Sequence, residues 1–172
     1  MDFQTIARKV KSDSYTLANT HESLRNQALA SIAAALAQNK TRIFEANAKD
    51  LERAASDNLP GPIVARLKFN EAKLADCLNG IRDLIGLADP LFQPLLKRQL
   101  DEGLVLEKVT CPIGVIGVIF ESRPDALIQI STLCIKSGNC AILKGGSEAA
   151  ETNRVLYEII FEAGKLAGLP EG

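Results

Sequence analysis

Tryptophan is absent from the 172-residue sequence, methionine and histidine occur once each, and only four cysteines are present. The cysteines are Cys77, Cys111, Cys134 and Cys140, and they form no Cys-x-x-Cys pair. The single histidine, His21, is far from all of them in sequence, so we expect no metal site. Because the cysteines lie in apolar segments without tight pairing, the favoured interpretation is reduced thiols in the core rather than a disulfide framework.

The chain also lacks a surplus of charge and any long run of basic residues. Its net charge of −1 argues against a nucleic-acid partner, which would need a clustered basic surface. The apolar stretch from Ile113 to Phe120 is far shorter than the roughly 20 residues that cross a membrane. The N-terminus carries no apolar signal-peptide core, and Asp2 and Asp13 suit a transit peptide poorly. We therefore expect a cytoplasmic protein without a membrane partner.

Residues 1–98 show the periodicity of helices. Residues at spacings of three and four share one face in each of two stretches. The first face has Leu24, Ala28, Ile32, Ala35 and Leu36, and the second has Ile43, Phe44 and Leu51 together with the polar Asn47. Pro60 and Pro62 break the pattern, because proline cannot continue a helix. Asn70 has the short polar side chain that caps the start of a further helix. The sequence therefore predicts a helical N-terminal segment.

The periodicity changes after residue 98. Residues 99–110 contain a turn at Gly103 between two short extended pieces, which predicts a hairpin or an oligomerisation arm. The run from Val115 to Phe120 is apolar without two-residue alternation, which is typical of a strand buried on both faces of a parallel sheet. Pro124 suits the first turn of a helix that follows this strand.

The segment CAILKGG predicts a second buried strand, followed by a helix that Ser147 caps and Gly168 ends. Residues 111–172 thus have the order strand, helix, strand, helix. This order indicates an α/β fold, the opening half of a doubly wound parallel sheet. Two parallel strands cannot bury their faces and edges, so a third strand is due after the turn at Pro170. We therefore expect the chain to be truncated relative to a complete domain.

The segment LKGGSE follows the second predicted strand and could bind an anion. Lys144 ends the strand, and Gly145 and Gly146 let a ligand approach the backbone closely. Ser147 and Glu148 begin the next helix, whose N–H groups favour negative charge. Because Glu148 would repel a pyrophosphate, a ribose hydroxyl or a single phosphate fits better. An exposed lysine beside an ordinary helix cap explains the segment equally well.

The segment FESRP ends the first predicted strand with Glu121, Ser122 and Arg123. Arg123 could hold a carboxylate or phosphate with both arms of its guanidinium group. A surface ion pair between Arg123 and Glu121 is an equal alternative. A Ser–His or Cys–His dyad has little support, because His21 belongs to the helical segment. The dinucleotide fingerprint G-x-G-x-x-G is absent after the strand.

Two long motifs, PIGVIGVIFESRPD and SGNCAILKGGSEA, resemble those of the gamma-glutamyl phosphate reductases, or glutamate-5-semialdehyde dehydrogenases. This family belongs to the aldehyde dehydrogenase superfamily. The motifs are also similar to the reductase half of bifunctional pyrroline-5-carboxylate synthases. The stretch ALASIAAALAQNKTRIFEANAKDLERA is similar to the N-terminal helices of the family. The resemblance covers nearly the whole chain, as the N-terminal portion of a longer protein.

The resemblance implies a step of proline biosynthesis, in which NADPH reduces L-glutamyl 5-phosphate to glutamate 5-semialdehyde and phosphate is released. In this family a cysteine attacks the acyl phosphate, and the resulting thioester accepts hydride. Family members are more than twice as long as this chain, and that cysteine belongs to the part that should follow Gly172. None of the four cysteines matches it. We therefore expect no catalytic residue and no catalytic domain in this chain, and no activity of the chain alone.

The resemblance also implies roles for the two segments. Lys144 matches the lysine that contacts the adenosine ribose, and the residues after it fall where the 2′-phosphate or 2′-hydroxyl is bound. The implied cofactor-binding residues are Lys144, Gly145, Gly146, Ser147, Glu148, Phe120 and Glu121, and the implied substrate-binding residues are Ser122 and Arg123. Residues 111–172 would then form the first part of a Rossmann-like, NADP-binding domain.

The partners that the resemblance implies are L-glutamyl 5-phosphate, further copies of the chain in a homo-oligomer, and a glutamate 5-kinase. A second hypothesis is a truncated, non-catalytic module that keeps part of the cofactor site or a contact between copies. A third is a purely structural role, in which the helical segment and the 99–110 arm serve assembly.

Overall fold

The computed structural model describes residues 2–171, which form helices, an antiparallel hairpin and a pair of parallel strands. In chain order the elements are α1 (Phe3–Ala18), α2 (Glu22–Gln38), α3 (Lys40–Ser56), α4 (Gly61–Leu67), α5 (Glu71–Gly86), β1 (Pro94–Asp101), β2 (Leu104–Val109), β3 (Val115–Ile119), α6 (Pro124–Lys136), β4 (Cys140–Lys144) and α7 (Ala150–Leu166). A short 3₁₀ turn, Ser147–Ala149, joins β4 to α7.

Helix α2 lies at the centre of the main core and contacts α5, α6 and α7. Its buried apolar residues include Ala28, Ile32 and Leu36, which the spacing of three and four predicted. Ile32 and Leu36 belong to one continuous apolar cluster with Leu127 of α6 and Leu156 of α7. The burial of this shared face is the main apolar stabilisation of the fold.

The predicted breaks in the helical segment are confirmed in position, but one helix was missed. Helix α3 ends at Ser56, and the prolines then begin the short helix α4, with Pro62 in its first turn. Proline suits this place because its missing N–H would have no partner there. Asn70 caps α5 as predicted, since its side-chain oxygen accepts a hydrogen bond of 3.1 Å from the N–H of Lys73.

Strands β1 and β2 form an antiparallel hairpin that turns at Gly103, where φ is +74°. The hairpin begins at Pro94, so residues 94–98 are extended and not part of the helical segment to which the periodicity assigned them. Every residue of both strands is exposed, including several leucines and valines. The hairpin therefore contributes little to the core of the single chain.

Strands β3 and β4 pair in parallel, from Val115 opposite Cys140 to Ile119 opposite Lys144. At the start of the pair, the N–H of Gly114 donates to Oδ1 of Asn139 at 2.8 Å, and the N–H of Cys140 donates to the carbonyl of Gly114 at 2.9 Å. Gly114 has a φ of +114°, which favours glycine. These contacts fix the register of the strands at the end opposite to the two candidate segments.

The expectation that the first strand is buried on both faces is wrong for this chain. Ile119 is 81% exposed and the preceding Ile113 is 80% exposed. Helix α1 contacts both strands and α6 contacts β4, but two strands leave surface that only further elements could cover. The apolar composition of β3 is that of a central strand, whereas its environment here is that of an edge.

A buried polar junction holds the C-terminal end of α6. Lys136 is only 3% exposed, and its Nζ donates to the carbonyl of Leu87 at 2.8 Å and to Oδ1 of Asn26 at 3.0 Å. The buried Arg25 contacts Asp89, with 2.6 Å between Nη2 and Oδ2. These contacts join α6 to α2 and to the segment after α5, so the helix that crosses between the parallel strands is anchored by charge as well as by apolar packing.

Three thiols are buried, and Cys111 is exposed. Burial raises the pKa of Cys77 to about 11, and the charge of Asp125 adds to the shift. Burial also raises the pKa of Cys140 to about 11 and raises that of Cys134. Because these folded pKa values lie above the unfolded value of 9.0, their contribution to stability is complete below pH 9 and is lost as the pH rises towards 11.

None of the described helices is long and apolar enough to cross a membrane. Within residues 2–171, no group of three or more histidine, cysteine, aspartate or glutamate side chains has an arrangement that could hold a metal ion.

At pH 8, Cys111 should react rapidly with excess maleimide in the folded chain, and the other three thiols only after unfolding in guanidinium. Cys111→Ser should abolish labelling of the folded chain and leave the labelling after unfolding unchanged, because the remaining three thiols are buried. Mass spectrometry of timed samples counts the labelled cysteines before and after unfolding. Rapid labelling of a second cysteine in the folded protein would contradict the burial described above.

Candidate functional site

The two candidate segments meet at one edge of the parallel sheet. Strands β3 and β4 run in the same direction and end opposite each other, at Ile119 and Lys144. Just beyond this pair, the N–H of Phe120 donates to the carbonyl of Lys144 at 3.0 Å. The carboxyl ends of parallel strands are where α/β proteins bind ligands, so the structure brings FESRP and LKGGSE together at such an edge.

Gly145 lies where the two segments are packed most closely. A methyl group on Gly145 would come within 2.4 Å of Nδ2 of Asn153 and 3.1 Å of the Phe120 ring. One on Gly146 would lie 3.5 Å from the N–H nitrogen of Ser122 and closer still to the carboxylate of Glu148. A methyl group at either position would thus meet atoms of the protein itself, so packing also favours glycine here.

Lys144 and Ser147 are both exposed, and Glu148 is half-buried. Ser147 does not cap α7 as predicted, because it begins the 3₁₀ turn and its side chain makes no capping hydrogen bond. Among the ion pairs of residues 2–171, none involves Lys144. The segment therefore presents one ammonium group and one hydroxyl group to solvent beside a carboxylate.

The capping group of α7 comes from another helix. Asp50 of α3 is fully buried, and one of its carboxylate oxygens accepts hydrogen bonds from the N–H of Thr152 at 2.8 Å and from its hydroxyl at 2.6 Å. Its other oxygen accepts a hydrogen bond of 3.2 Å from the N–H of Glu151. A carboxylate at this end of a helix satisfies free N–H groups and complements the helix dipole.

Arg53 joins the same helix α3 to the LKGGSE segment. Its Nη2 lies 2.6 Å from Oδ1 of Asp50, and it donates to the carbonyls of Ser147 at 3.2 Å and Glu148 at 3.3 Å. Sequence reasoning missed both Asp50 and Arg53, because the partners that link them to the site, Thr152, Ser147 and Glu148, lie far along the chain. The one available signal was Asn47, a polar residue at a position of the inward-facing apolar pattern.

Asn47 completes this polar cluster and is itself buried. Its Nδ2 donates to the carbonyl of Leu67 at 2.9 Å and to the hydroxyl of Thr152 at 3.2 Å. Its Oδ1 accepts a hydrogen bond of 2.8 Å from the N–H of Phe69. The cluster thus connects α3, the segment between α4 and α5, and the start of α7.

Electrostatics at the start of α7 are balanced by local pairs. A hydrogen bond from Arg154, together with its charge, lowers the pKa of Glu151, which keeps this carboxylate ionised. The distance between Nη2 of Arg154 and Oε2 of Glu151 is 2.8 Å. Glu151 is therefore neutralised by its own helix.

In FESRP the charged residues do not pair with each other as one alternative held. Glu121 contacts Arg66 of α4, with 2.8 Å between Oε2 and Nη1. Arg123 contacts Asp125 in the first turn of α6, with 2.9 Å between Nη2 and Oδ2. The Arg123 side chain is 55% exposed, so it remains accessible to a ligand. Ser122 is buried between these two residues.

The exposed thiol lies away from this site. Cys111 precedes β3, whereas the candidate segments follow the strands. Five residues of strand span about 16 Å, so Cys111 is at the opposite end of the sheet.

Gly145→Ala should lower the free energy of unfolding by about 1 kcal/mol, because a methyl group there forces Asn153 into another rotamer and the Phe120 ring to shift. The matched control is Gly80→Ala, at a helical position with no atom within 4 Å, which should be neutral or stabilising by about 0.5–1 kcal/mol. Urea unfolding followed by circular dichroism measures both. If Gly145→Ala is as stable as the wild type, the close packing of the two segments is refuted.

No family model matches the chain. Among curated proteins, the gamma-glutamyl phosphate reductase of Pelotomaculum thermopropionicum is 58% identical over 170 residues, which are 99% of this chain and 39% of that protein. The protein of the same name from Ruminiclostridium cellulolyticum is 54% identical over 172 residues, which are 100% of this chain and 40% of that protein. The chain thus spans about two fifths of the length of these relatives.

Solved structures give the same result. Gamma-glutamyl phosphate reductase from Thermotoga maritima matches with a TM-score of 0.93 at 34% identity, over 96% of this chain and 40% of that one. The protein from Saccharomyces cerevisiae matches with a TM-score of 0.94 at 37% identity, over 100% of this chain and 45% of that one. A probable aldehyde dehydrogenase from Listeria monocytogenes shares the fold, with a TM-score of 0.72 at 14% identity, over 98% of this chain and 34% of that one.

The predicted fold class and the resemblance are both confirmed by these matches. A helical region followed by parallel strands is the architecture that this chain shares with aldehyde dehydrogenase-like structures. Over nearly its whole length, the chain is homologous to the gamma-glutamyl phosphate reductases.

Proposed function

We propose that this chain is the part of a gamma-glutamyl phosphate reductase that binds the adenosine end of NADPH. The complete protein would reduce L-glutamyl 5-phosphate to glutamate 5-semialdehyde, with release of phosphate, in proline biosynthesis. The observation that carries the proposal is the pairing of Ile119 with Lys144, which brings two motifs of the family to one sheet edge. The identity of 58% to a reductase supports the same reaction.

The chemistry of the LKGGSE segment fits the ribose end of the cofactor. An exposed ammonium group and an exposed hydroxyl can donate to ribose oxygens or to a 2′-phosphate, and the carboxylate of Glu148 can accept from a ribose hydroxyl. We assign Lys144, Gly145, Gly146, Ser147 and Glu148 to this role. When bound, NADPH would supply the hydride for the reduction.

The FESRP segment would serve the reacting end. We assign Phe120 and Glu121 to the passage between cofactor and substrate, and Ser122 and Arg123 to the substrate. The planar guanidinium group of Arg123 can bind a carboxylate or phosphate through two parallel hydrogen bonds. Asp125, which is 8% exposed, binds the Arg123 guanidinium group from the protein side. The exposed part of the Arg123 side chain then faces the ligand.

We also propose a cytoplasmic homo-oligomer that works beside a glutamate 5-kinase. The exposed leucines and valines of β1 and β2 support an arm that contacts another copy, because so much apolar surface in a hairpin favours burial. The kinase is proposed because an acyl phosphate is reactive and must be supplied by a phosphoryl transfer. In this scheme residues 111–172 begin the NADP-binding domain.

Lys144→Ala should weaken NADPH binding at least tenfold, because a hydrogen bond from a charged group is worth about 1.5–3 kcal/mol. The measurement is a fluorescence titration of this chain with NADPH. Lys108→Ala, in the exposed strand β2, is the matched control and should bind as the wild type does. If a folded wild-type chain does not bind NADPH, or if Lys144→Ala binds equally well, this assignment of Lys144 is refuted.

The second candidate function is assembly without catalysis, and the fully exposed hairpin favours it. Light scattering should find wild-type chains associated at micromolar concentration, and the double variant Leu95→Lys/Leu104→Lys should have a lower mass. These two side chains are 60% and 56% exposed, so the change should not disturb the fold. Leu166→Lys, which is 86% exposed on α7, is the control and should leave the mass unchanged. A monodisperse wild-type monomer would count against the assembly proposal.

A further inference from the structure

Arg53 is not part of either candidate segment, yet it holds one of them in place. We propose that Arg53 is a positioning residue for nucleotide binding: it fastens the turn Ser147–Ala149 to helix α3 and thereby sets the affinity for the adenosine half of the cofactor. This inference rests on the proposed function for the choice of ligand. The fastening itself rests only on the contacts of the described residues.

The contacts of Arg53 converge on one atom. Its Nη2 meets the carboxylate of Asp50 and the carbonyls of Ser147 and Glu148, at 2.6, 3.2 and 3.3 Å. The first contact belongs to α3, and the other two belong to the turn. Because both carbonyls are drawn to the same guanidinium group, the turn cannot shift relative to α3 without breaking these hydrogen bonds.

The base of this attachment is rigid. Asp50 is fully buried and also binds the first turn of α7 through Thr152. The Arg53 side chain is 43% exposed, so it reaches from a fixed anion outward to the turn. A guanidinium group suits this bridge because it is planar and always charged. The same anion therefore fixes both the turn and the helix that follows it.

The turn has an apolar and a polar side. Ala149 is fully buried and packs in one cluster with Ala54 and Leu67, whereas Arg53 holds the carbonyls of Ser147 and Glu148. Its backbone hydrogen bond from the N–H of Ala149 to the carbonyl of Gly146 is 3.3 Å long. Within residues 2–171, Asp50 is the only side chain that caps the start of the turn or of α7. Removing Arg53 should therefore free Ser147 and Glu148 while α7 keeps its cap. Since these two residues are assigned to the ribose end of the cofactor, their mobility should weaken nucleotide binding.

Amide hydrogen exchange tests the attachment without any ligand. In Arg53→Ala, the amides of Ala149 and Ala150, which donate hydrogen bonds within the turn, should exchange about tenfold faster than in the wild type, a change of about 1.4 kcal/mol. Arg53→Lys keeps the charge and should restore part of the protection. Arg82→Ala is the control, since Arg82 is exposed on α5 and bonds only within its own helix. Unchanged exchange in Arg53→Ala would overturn the proposal.

Nucleotide binding gives the second readout, with adenosine 2′,5′-bisphosphate as the probe for the adenosine half. Arg53→Ala should raise its Kd about fivefold to tenfold by calorimetry, with partial rescue in Arg53→Lys and no change in Arg82→Ala. Urea unfolding identifies any loss that comes from global destabilisation. A wild-type chain that fails to bind the probe contradicts the proposed function, whereas faster exchange with an unchanged Kd contradicts only the positioning role.

Discussion

The geometry of the candidate site depends on the hydrogen bonds that the buried carboxylate of Asp50 accepts. It joins residues 102 positions apart in sequence, because it caps α7 through Thr152. An unpaired carboxylate in the core would cost several kcal/mol, so Asp50 is stable there only while its partners surround it. These hydrogen bonds therefore tie the first turn of α7 to α3. The LKGGSE segment runs directly into α7, so the position of Lys144 at the end of β4 also depends on the contacts of Asp50.

The buried Asp50 also determines where the guanidinium group of Arg53 lies. Arg53 neutralises Asp50 and is thereby held against the backbone of Ser147 and Glu148. At the other end of the crossover, the buried Lys136 fixes α6 to the segment after α5. Both helices that follow the parallel strands are thus anchored by ion-containing junctions.

The helices could be predicted from local sequence because their cause is local. The spacing of Ile32 and Leu36 marks a buried face, and Asn70 caps the helix that follows it directly. The capping of α7 could not be predicted in the same way. Ser147 has the expected residue type at the expected place, but a carboxylate from α3 satisfies the free N–H groups instead. Only the tertiary fold decides between such donors and acceptors.

The burial of β3 shows the opposite limit of sequence reasoning. The apolar pattern correctly indicated a parallel strand, but Ile119 is exposed because few elements surround it in this chain. Composition reports the environment for which a strand is suited, and the number of neighbouring strands decides how much of it is covered. The candidate segments were found for a different reason: they follow the strands directly, so parallel pairing was sufficient to bring them together.

The register of the parallel strands has a consequence for variation at a distance. The hydrogen bond between Gly114 and Asn139 aligns β3 with β4 at their start, and the alignment persists to Ile119 and Lys144 at the far end. Successive side chains alternate between faces, so a slip of one residue would turn Lys144 to the opposite face of the sheet. The side-chain amide of Asn139, at the start of β4, thus helps to set which face of the sheet Lys144 occupies at its end. A substitution at Asn139 would therefore shift Lys144 at the far end of β4, although Lys144 and the residues that follow it stayed the same.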